Sequence, residues 1–409
     1  PGMNIRSAHF ILAKFVDSKT VDDKTQGKSA YLLAEYYQAD QANQAKAIFW
    51  YEQAIRLDFP QASIALAQHY FQQNHLTQAV SLLAQLPHKL SNTLTSAATI
   101  LNINIAIKLG DIEKVSTLVN LDKALLQTTT QGQLLLNDID KYQILLSKNL
   151  KQSLNKNEAI TVSPAAINCD NSIQLFATSL EHLKHLEKVI TDFKEQSINK
   201  AVCFAPVRYI AINALACHNK PEQAIRCDEL HWQHKAHTIN SRYLGVMLPK
   251  GGANVHLGIL YFDAQDTIDV IAHEISHLLG FIDEYPLPLG HIKCQRSQNE
   301  IFSQNVAVLP NQYQGAREYV RRAVLKQLAW AKHIKKSTPI LQPVIDVNAK
   351  HSWQLGTPKE YQHEVGVFKA QTCNNTAGEL SGGFSAYKGV FPATKLQYFA
   401  LKLPPLYGA

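Results

Sequence analysis

The sequence predicts two domains of different class. The first, over residues 1–160, is an all-α helical-repeat domain, and the second, over residues 161–409, is α/β (α+β). Three observations carry this expectation. A helix-period segment returns 33 residues after its first appearance, strands and helices alternate beyond a polar stretch near residue 160, and all six cysteines fall after residue 168. A chain of 409 residues also exceeds the length at which one hydrophobic core stops growing.

In the first half, Ser29-Ala30-Tyr31-Leu32-Leu33-Ala34-Glu35-Tyr36-Tyr37 is echoed by Ala62-Ser63-Ile64-Ala65-Leu66-Ala67-Gln68-His69-Tyr70. Between them Ala45 to Ile55 has the apolar spacing of a second helix, ended before Pro60. Small residues at helix crossings, large ones beside them and a period in the low thirties mark paired-helix solenoids. Weaker copies follow at Gln78-Ala79-Val80 and at Leu101 to Val115, with Gly110-Asp111 as an inter-helix turn. The stretch resembles Sel1-like and tetratricopeptide repeats. That resemblance implies a concave face for a peptide or partner protein, with a rigid spacer as the competing role. Tyr36, Tyr37, Trp50 and Tyr51 have helical spacing and read as core.

Polar residues from Leu154 to Pro164 place the domain boundary. Beyond it, Gln174 to Phe193 reads as a helix, and Ala201 to Ile210, Tyr243 to Leu248 and Asn254 to Phe262 read as strands. Asp266 to Gly280 reads as a helix directly after the last strand.

That helix carries the chemistry. His273 and His277 lie four residues apart, so both imidazoles project from one face and can grip a single metal ion. Glu274 stands beside them, placed to take a proton from a water. Gly280 can break the helix with a positive φ, and the returning chain presents Asp283 as a third ligand. Two histidines and a carboxylate suit zinc and leave a fourth position for water. Glu284 competes with Asp283 for the third place, and the register favours Asp283. Ser276 has no Gly-x-Ser-x-Gly setting that would make it a nucleophile.

The run His273-Glu274-Ile275-Ser276-His277-Leu278-Leu279-Gly280-Phe281-Ile282-Asp283-Glu284-Tyr285 resembles the metzincin clan of zinc metallopeptidases, with Asp as the third ligand. Its Asp-Glu-Tyr ending is similar to IgA-protease-like metallopeptidases. The resemblance implies a zincin fold, a Zn2+ cofactor and peptide or protein substrates. A looser echo lies in Lys395-Leu396-Gln397-Tyr398-Phe399, where Leu396 takes the slot of the clan's methionine and Tyr398 that of an oxyanion-stabilising tyrosine. Tyr387 is the alternative for the tyrosine. Only Met3 and Met247 are methionines, so a true methionine turn is absent. By the same resemblance, Asn254 to Leu260 is the edge strand against which a peptide substrate pairs. A metal-stabilised module without turnover, whose helical repeats bind partners, is the rival reading.

The remaining features bound the setting. A net charge of +7 spread over 40 basic and 33 acidic residues, with no charge run, gives no support to nucleic-acid binding. No stretch approaches a transmembrane span. Even cysteine number confined to one domain suggests disulfides and a periplasmic or secreted protein. Cys217 with Cys227 closes the easiest loop, and Cys169–Cys203 with Cys294–Cys373 completes one of fifteen connectivities. Pro1-Gly2-Met3 reads as an addition replacing a removed signal or lipid-anchor segment. His231, His234 and His237 form a three-spaced run that reads as a solvated helix face before a second metal site, and His256 as a strand-surface residue.

Overall fold

Consecutive helices make up the described residues from Asp23 to Lys141. In the computed structural model, which describes residues 12–16, 22–39, 43–148, 169–218, 220, 223–230, 239–288, 290–291, 294, 301, 303–344, 351–373 and 383–408, the chain folds as two units. The polar boundary at 154–164, the His231, His234 and His237 run and Pro1-Gly2-Met3 lie outside the described residues. The first unit comprises the chain up to Asn157 with Thr178–Leu180 and Tyr209–Ala214, and the second comprises the rest.

The helical unit contains α1 (Asp23–Gln38), α2 (Gln44–Arg56), α3 (Pro60–Gln72), α4 (Leu76–Ala84), α5 (Asn92–Leu109), α6 (Ile112–Gln127) and α7 (Thr130–Lys141). They pack in sequential pairs, α1 with α2, α3 with α4 and α5 with α6. Alanines at 30, 34, 47, 54 and 62 are fully buried around Tyr51, which is what lets the helices approach closely. Pro60 opens α3 at a position whose N–H has no helical partner. Gly110 and Asp111 form the α5–α6 turn, with the Asp111 carboxylate accepting from Lys114 N at 3.0 Å. Tyr51 is core, as its spacing implies, whereas Tyr36 is 43% exposed and faces outward.

The second unit is α/β with mixed sheets. Strands β1 (Ser172–Ala177), β2 (Cys203–Phe204), β3 (Arg208–Tyr209), β4 (Tyr243–Leu248), β5 (Asn254–His256) and β6 (Ile259–Asp263) form one sheet with the order β2-β1-β4-β6-β5, β3 pairing β1. The pairs β2–β1, β1–β4 and β4–β6 are parallel, and the edge strand β5 is antiparallel to β6. Helix α8 (Leu180–Phe193) follows β1, and α9 (Ile268–Leu278) follows β6. Further along, β7 (Val306–Pro310), β8 (Gln312–Gln314), helix α10 (Arg317–Leu325), β9 (Leu341–Pro343), β10 (Ser352–Leu355), β11 (Phe368–Lys369) and β12 (Phe384–Lys388) build two three-stranded sheets, β8-β10-β9 and β11-β12-β7.

Three elements differ from the sequence expectation. The 174–193 segment begins as a strand: β1 is buried on both faces, the polar Ser172 and Gln174 included, so no alternating solvent face separates strand from helix in its sequence. The 201–210 strand is split in two around Pro206, which cannot donate to a ladder. The 254–262 strand is a hairpin. Leu257 and Gly258 have φ of 48° and 79°, the paired positive values of a two-residue turn, so Asn254 pairs with Tyr261.

All three expected disulfides form: Cys169–Cys203, Cys217–Cys227 and Cys294–Cys373. No helix among the described residues is long and apolar enough to cross a membrane.

Candidate metal centre

Helix α9 begins where Thr267 caps it, its hydroxyl accepting from Val270 N, and it is buried all round from Ile271 to Ser276. Ser276 is buried too and donates its hydroxyl to Ala272 O at 2.8 Å. The helix ends in a paired cap: Gly280 N donates to His277 O and Phe281 N to Ser276 O, both at 3.1 Å. Gly280 takes φ +87°, the left-handed value this cap needs. The chain thereby doubles back, and Asn305 pins it by accepting from Ile282 N and donating to Ile282 O, each at 2.9 Å.

The result is a convergence of three donor atoms. His273 Nε2 and His277 Nε2 stand 3.1 Å apart, and Asp283 Oδ1 lies 3.1 Å from the first and 3.3 Å from the second. Ligand atoms about 2.0–2.1 Å from a tetrahedral zinc are about 3.3–3.4 Å from one another. The Glu274 carboxylate lies within 4.8 Å of both imidazoles.

Protonation decides what such a cluster holds. His273 Nδ1 donates to Lys395 O at 2.9 Å and His277 Nδ1 to Phe281 O at 3.0 Å. Carbonyls only accept, so each ring proton sits on Nδ1 and each Nε2 turns a lone pair inward. Asp283 Oδ1 is buried and receives no hydrogen bond. Three facing lone pairs repel unless a cation or a shared proton lies among them. The electrostatics point the same way. Burial opposes charge on His277, yet Asp283 and Glu274 outweigh it and raise its proton affinity above the ordinary imidazole range. Burial likewise works against Asp283, but the two imidazoles hold its carboxyl far below the usual carboxylate range. Glu274 is shifted upward by burial, a displacement only partly offset by the imidazoles.

Glu284 is not part of the cluster. Its fully buried carboxylate takes Lys388 Nζ at 2.7 Å, Thr394 Oγ1 at 2.9 Å, Tyr407 OH at 2.7 Å and Asn305 Nδ2 at 3.2 Å. Its backbone N–H donates to Leu396 O at 2.9 Å, which fixes the tail segment beneath the turn.

That tail also supports His273 from the other side. The buried Lys395 ammonium pairs with Asp269 of α9 at 2.6 Å and donates to Phe399 O at 2.8 Å, while its carbonyl holds the His273 ring. The Phe399 ring meets His273 edge to face at 4.6 Å. Leu396 is buried, but Tyr398 is 57% exposed, and Phe399 is the tail ring against the site. Tyr387 is fully buried elsewhere, its hydroxyl committed to Asn311 Oδ1 at 2.7 Å. The tyrosine whose titration reflects the cluster is Tyr285, its phenol raised above the ordinary range by burial first and then by the charges of Asp283 and Glu274. Its place inside the motif was the only signal of this. Lys395 and Asn305 had none, being separated from their partners by long stretches of sequence.

His256 is a surface residue of β5, as read, with Nδ1 2.9 Å from Glu229 Oε1. Compared with family models, curated proteins and solved structures, the chain matches none.

Proposed function

We propose that this chain is a zinc-dependent metalloendopeptidase. The observation that carries the reading is the convergence of His273 Nε2, His277 Nε2 and Asp283 Oδ1 at 3.1–3.3 Å, with Glu274 beside them. These three residues would hold the metal. A zinc ion bound there supplies Lewis acidity that polarises a carbonyl and acidifies a water. Glu274 takes a proton from the attacking water as the new C–O bond forms and the carbonyl π pair moves onto oxygen. It then returns that proton to the amine nitrogen as the C–N bond breaks. The chain's motif supports a metzincin-like, IgA-protease-like assignment, and its paired N-terminal helices support Sel1- or tetratricopeptide-like repeats that recruit a protein substrate or partner. Three disulfides support a periplasmic or secreted setting.

The test pairs zinc stoichiometry with cleavage of a mixed peptide library. The native chain is expected to hold one zinc per site and to cleave, and E274Q to keep the metal and lose turnover. Full activity in a clean E274Q preparation sinks the proposal, and metal without cleavage in the native chain favours a partner-binding module.

A further inference from the structure

We propose that a surface formed by Arg322, Lys326, Lys332 and Lys336 docks this chain on an anionic phospholipid membrane. The inference is independent of the zinc chemistry and begins with where the charge lies. Residues 317–336 hold seven Lys or Arg and a single acid, Glu318, a net +6 of the chain's +7. The rest of the sequence is almost balanced. Apolar residues break these cations into ones and twos, so no uninterrupted charge run marks the concentration.

Folding sorts the segment into two sides. Val320, Val324, Leu328, Trp330 and Ile334 are buried in one core cluster, at helical spacing along α10 and the turns that follow it. Arg322, Lys326, Lys332, Lys335 and Lys336 are exposed. Arg321 closes the segment on itself, its guanidinium donating to Lys335 O at 3.0 Å and Thr338 O at 2.8 Å, which brings the lysine-bearing turn beside α10. Glu364 pairs with Lys335 at 3.2 Å, but Arg322, Lys326, Lys332 and Lys336 have no ion pair among the described residues. Cations gathered without counter-charges repel one another, and a layer of lipid phosphates relieves that repulsion. Nucleic acid is a poorer match, because single strands are held by several stacking aromatics. The segment exposes one aromatic ring, Tyr319 at 71%, and a tyrosine among cations suits the headgroup level of a bilayer. The three disulfides fit a compartment outside the reducing cytosol, where lipid phosphates are an abundant polyanion.

The experiment is co-sedimentation of the full chain with vesicles of phosphatidylcholine alone, or of phosphatidylcholine with about one-third phosphatidylglycerol. The native chain is expected to bind the mixed vesicles, to ignore the neutral ones and to be released as salt rises. Each Lys or Arg held at an anionic leaflet contributes about fivefold to binding, so R322Q/K326Q/K332Q/K336Q is expected to lose more than about 100-fold with an unchanged thermal melt. Two further variants separate the patch from net charge and from shape. K24Q/K28Q/K89Q/K123Q removes as many exposed charges from the helical unit and is expected to bind as the native chain does. R322K/K326R/K332R/K336R keeps the charge while changing every side chain, and it too is expected to bind. Equal binding to neutral vesicles overturns the proposal, as does native affinity in the first variant or an equal loss in the second. Loss of binding in the charge-preserving variant also overturns it. So does tighter binding to duplex DNA or to polyglutamate than to the mixed vesicles, since either would assign the surface to another partner.

Discussion

Asp283 and Glu284 are adjacent carboxylates with opposite fates, and the contrast can be measured. Asp283 Oδ1 faces two imidazole nitrogens and has no donor, whereas every face of the Glu284 carboxylate is occupied. D283N is therefore expected to fold normally and to lose zinc affinity by more than about 100-fold, beyond the 10–100-fold that supporting residues usually cost. E284Q leaves Lys388 buried without a counter-charge, at a cost of about 3–5 kcal/mol. Chemical denaturation beside zinc titration separates them. A stability loss in D283N as large as that in E284Q would undo the assignment of roles. His273, Glu274, His277 and Asp283 were legible because a helix and its cap fix their relative positions within eleven residues. Lys395 and Asn305 were not legible, since nothing local records that a lysine will meet Asp269 more than a hundred residues away.

At the level of elements, the helix terminus does the positioning. Gly280 at φ +87° is where α9 gives way to the returning chain, and an added Cβ there would meet the Gln304 side chain, Cγ at 3.4 Å and Nε2 at 3.9 Å. The cost of G280A is thus torsional, about 1–2 kcal/mol, and not steric. It is expected to lower both the melting temperature and zinc affinity, because the same torsion aims Asp283. A thermal melt run with and without metal checks this, and unchanged zinc affinity would refute it. Elements with a strong helical period or a capping signal were read well: Pro60, Gly110-Asp111 and the α9 start all stand within a few residues of their expected places. The strand errors share a cause. β1 buries Ser172 and Gln174 along with its apolar residues, and the 254–263 hairpin reverses at Leu257-Gly258 without a polar turn segment, so the sequence pattern does not register the change of element or of direction. Gly258 was the one visible cue to the hairpin.

Across the whole molecule, covalent links and buried polar contacts set what holds the second unit together. The Cys294–Cys373 disulfide spans 79 residues and lies in a cluster with Ile282 and Leu287, the residues flanking Asp283-Glu284-Tyr285-Pro286. Its removal in a C294S/C373S double variant is expected to cost on the order of 2–4 kcal/mol, by releasing the unfolded chain from a long loop. Denaturant midpoints compared with the native chain test this, and an unchanged midpoint would show that the cluster packs without the bridge. The two-class layout was legible from the sequence because composition and period differ between the halves. The extra three-stranded sheets were not, since their strands are two to five residues long.

The clamp around Glu284 also has a consequence in time. During synthesis the imidazoles and Asp283 leave the ribosome well before Lys388, Thr394, Lys395 and Tyr407, the groups that fix Glu284 and the His273 ring. A nascent chain therefore carries the motif for more than a hundred residues without the parts that hold it in register. The register of the motif is thus set only once the chain has been extended to Tyr407.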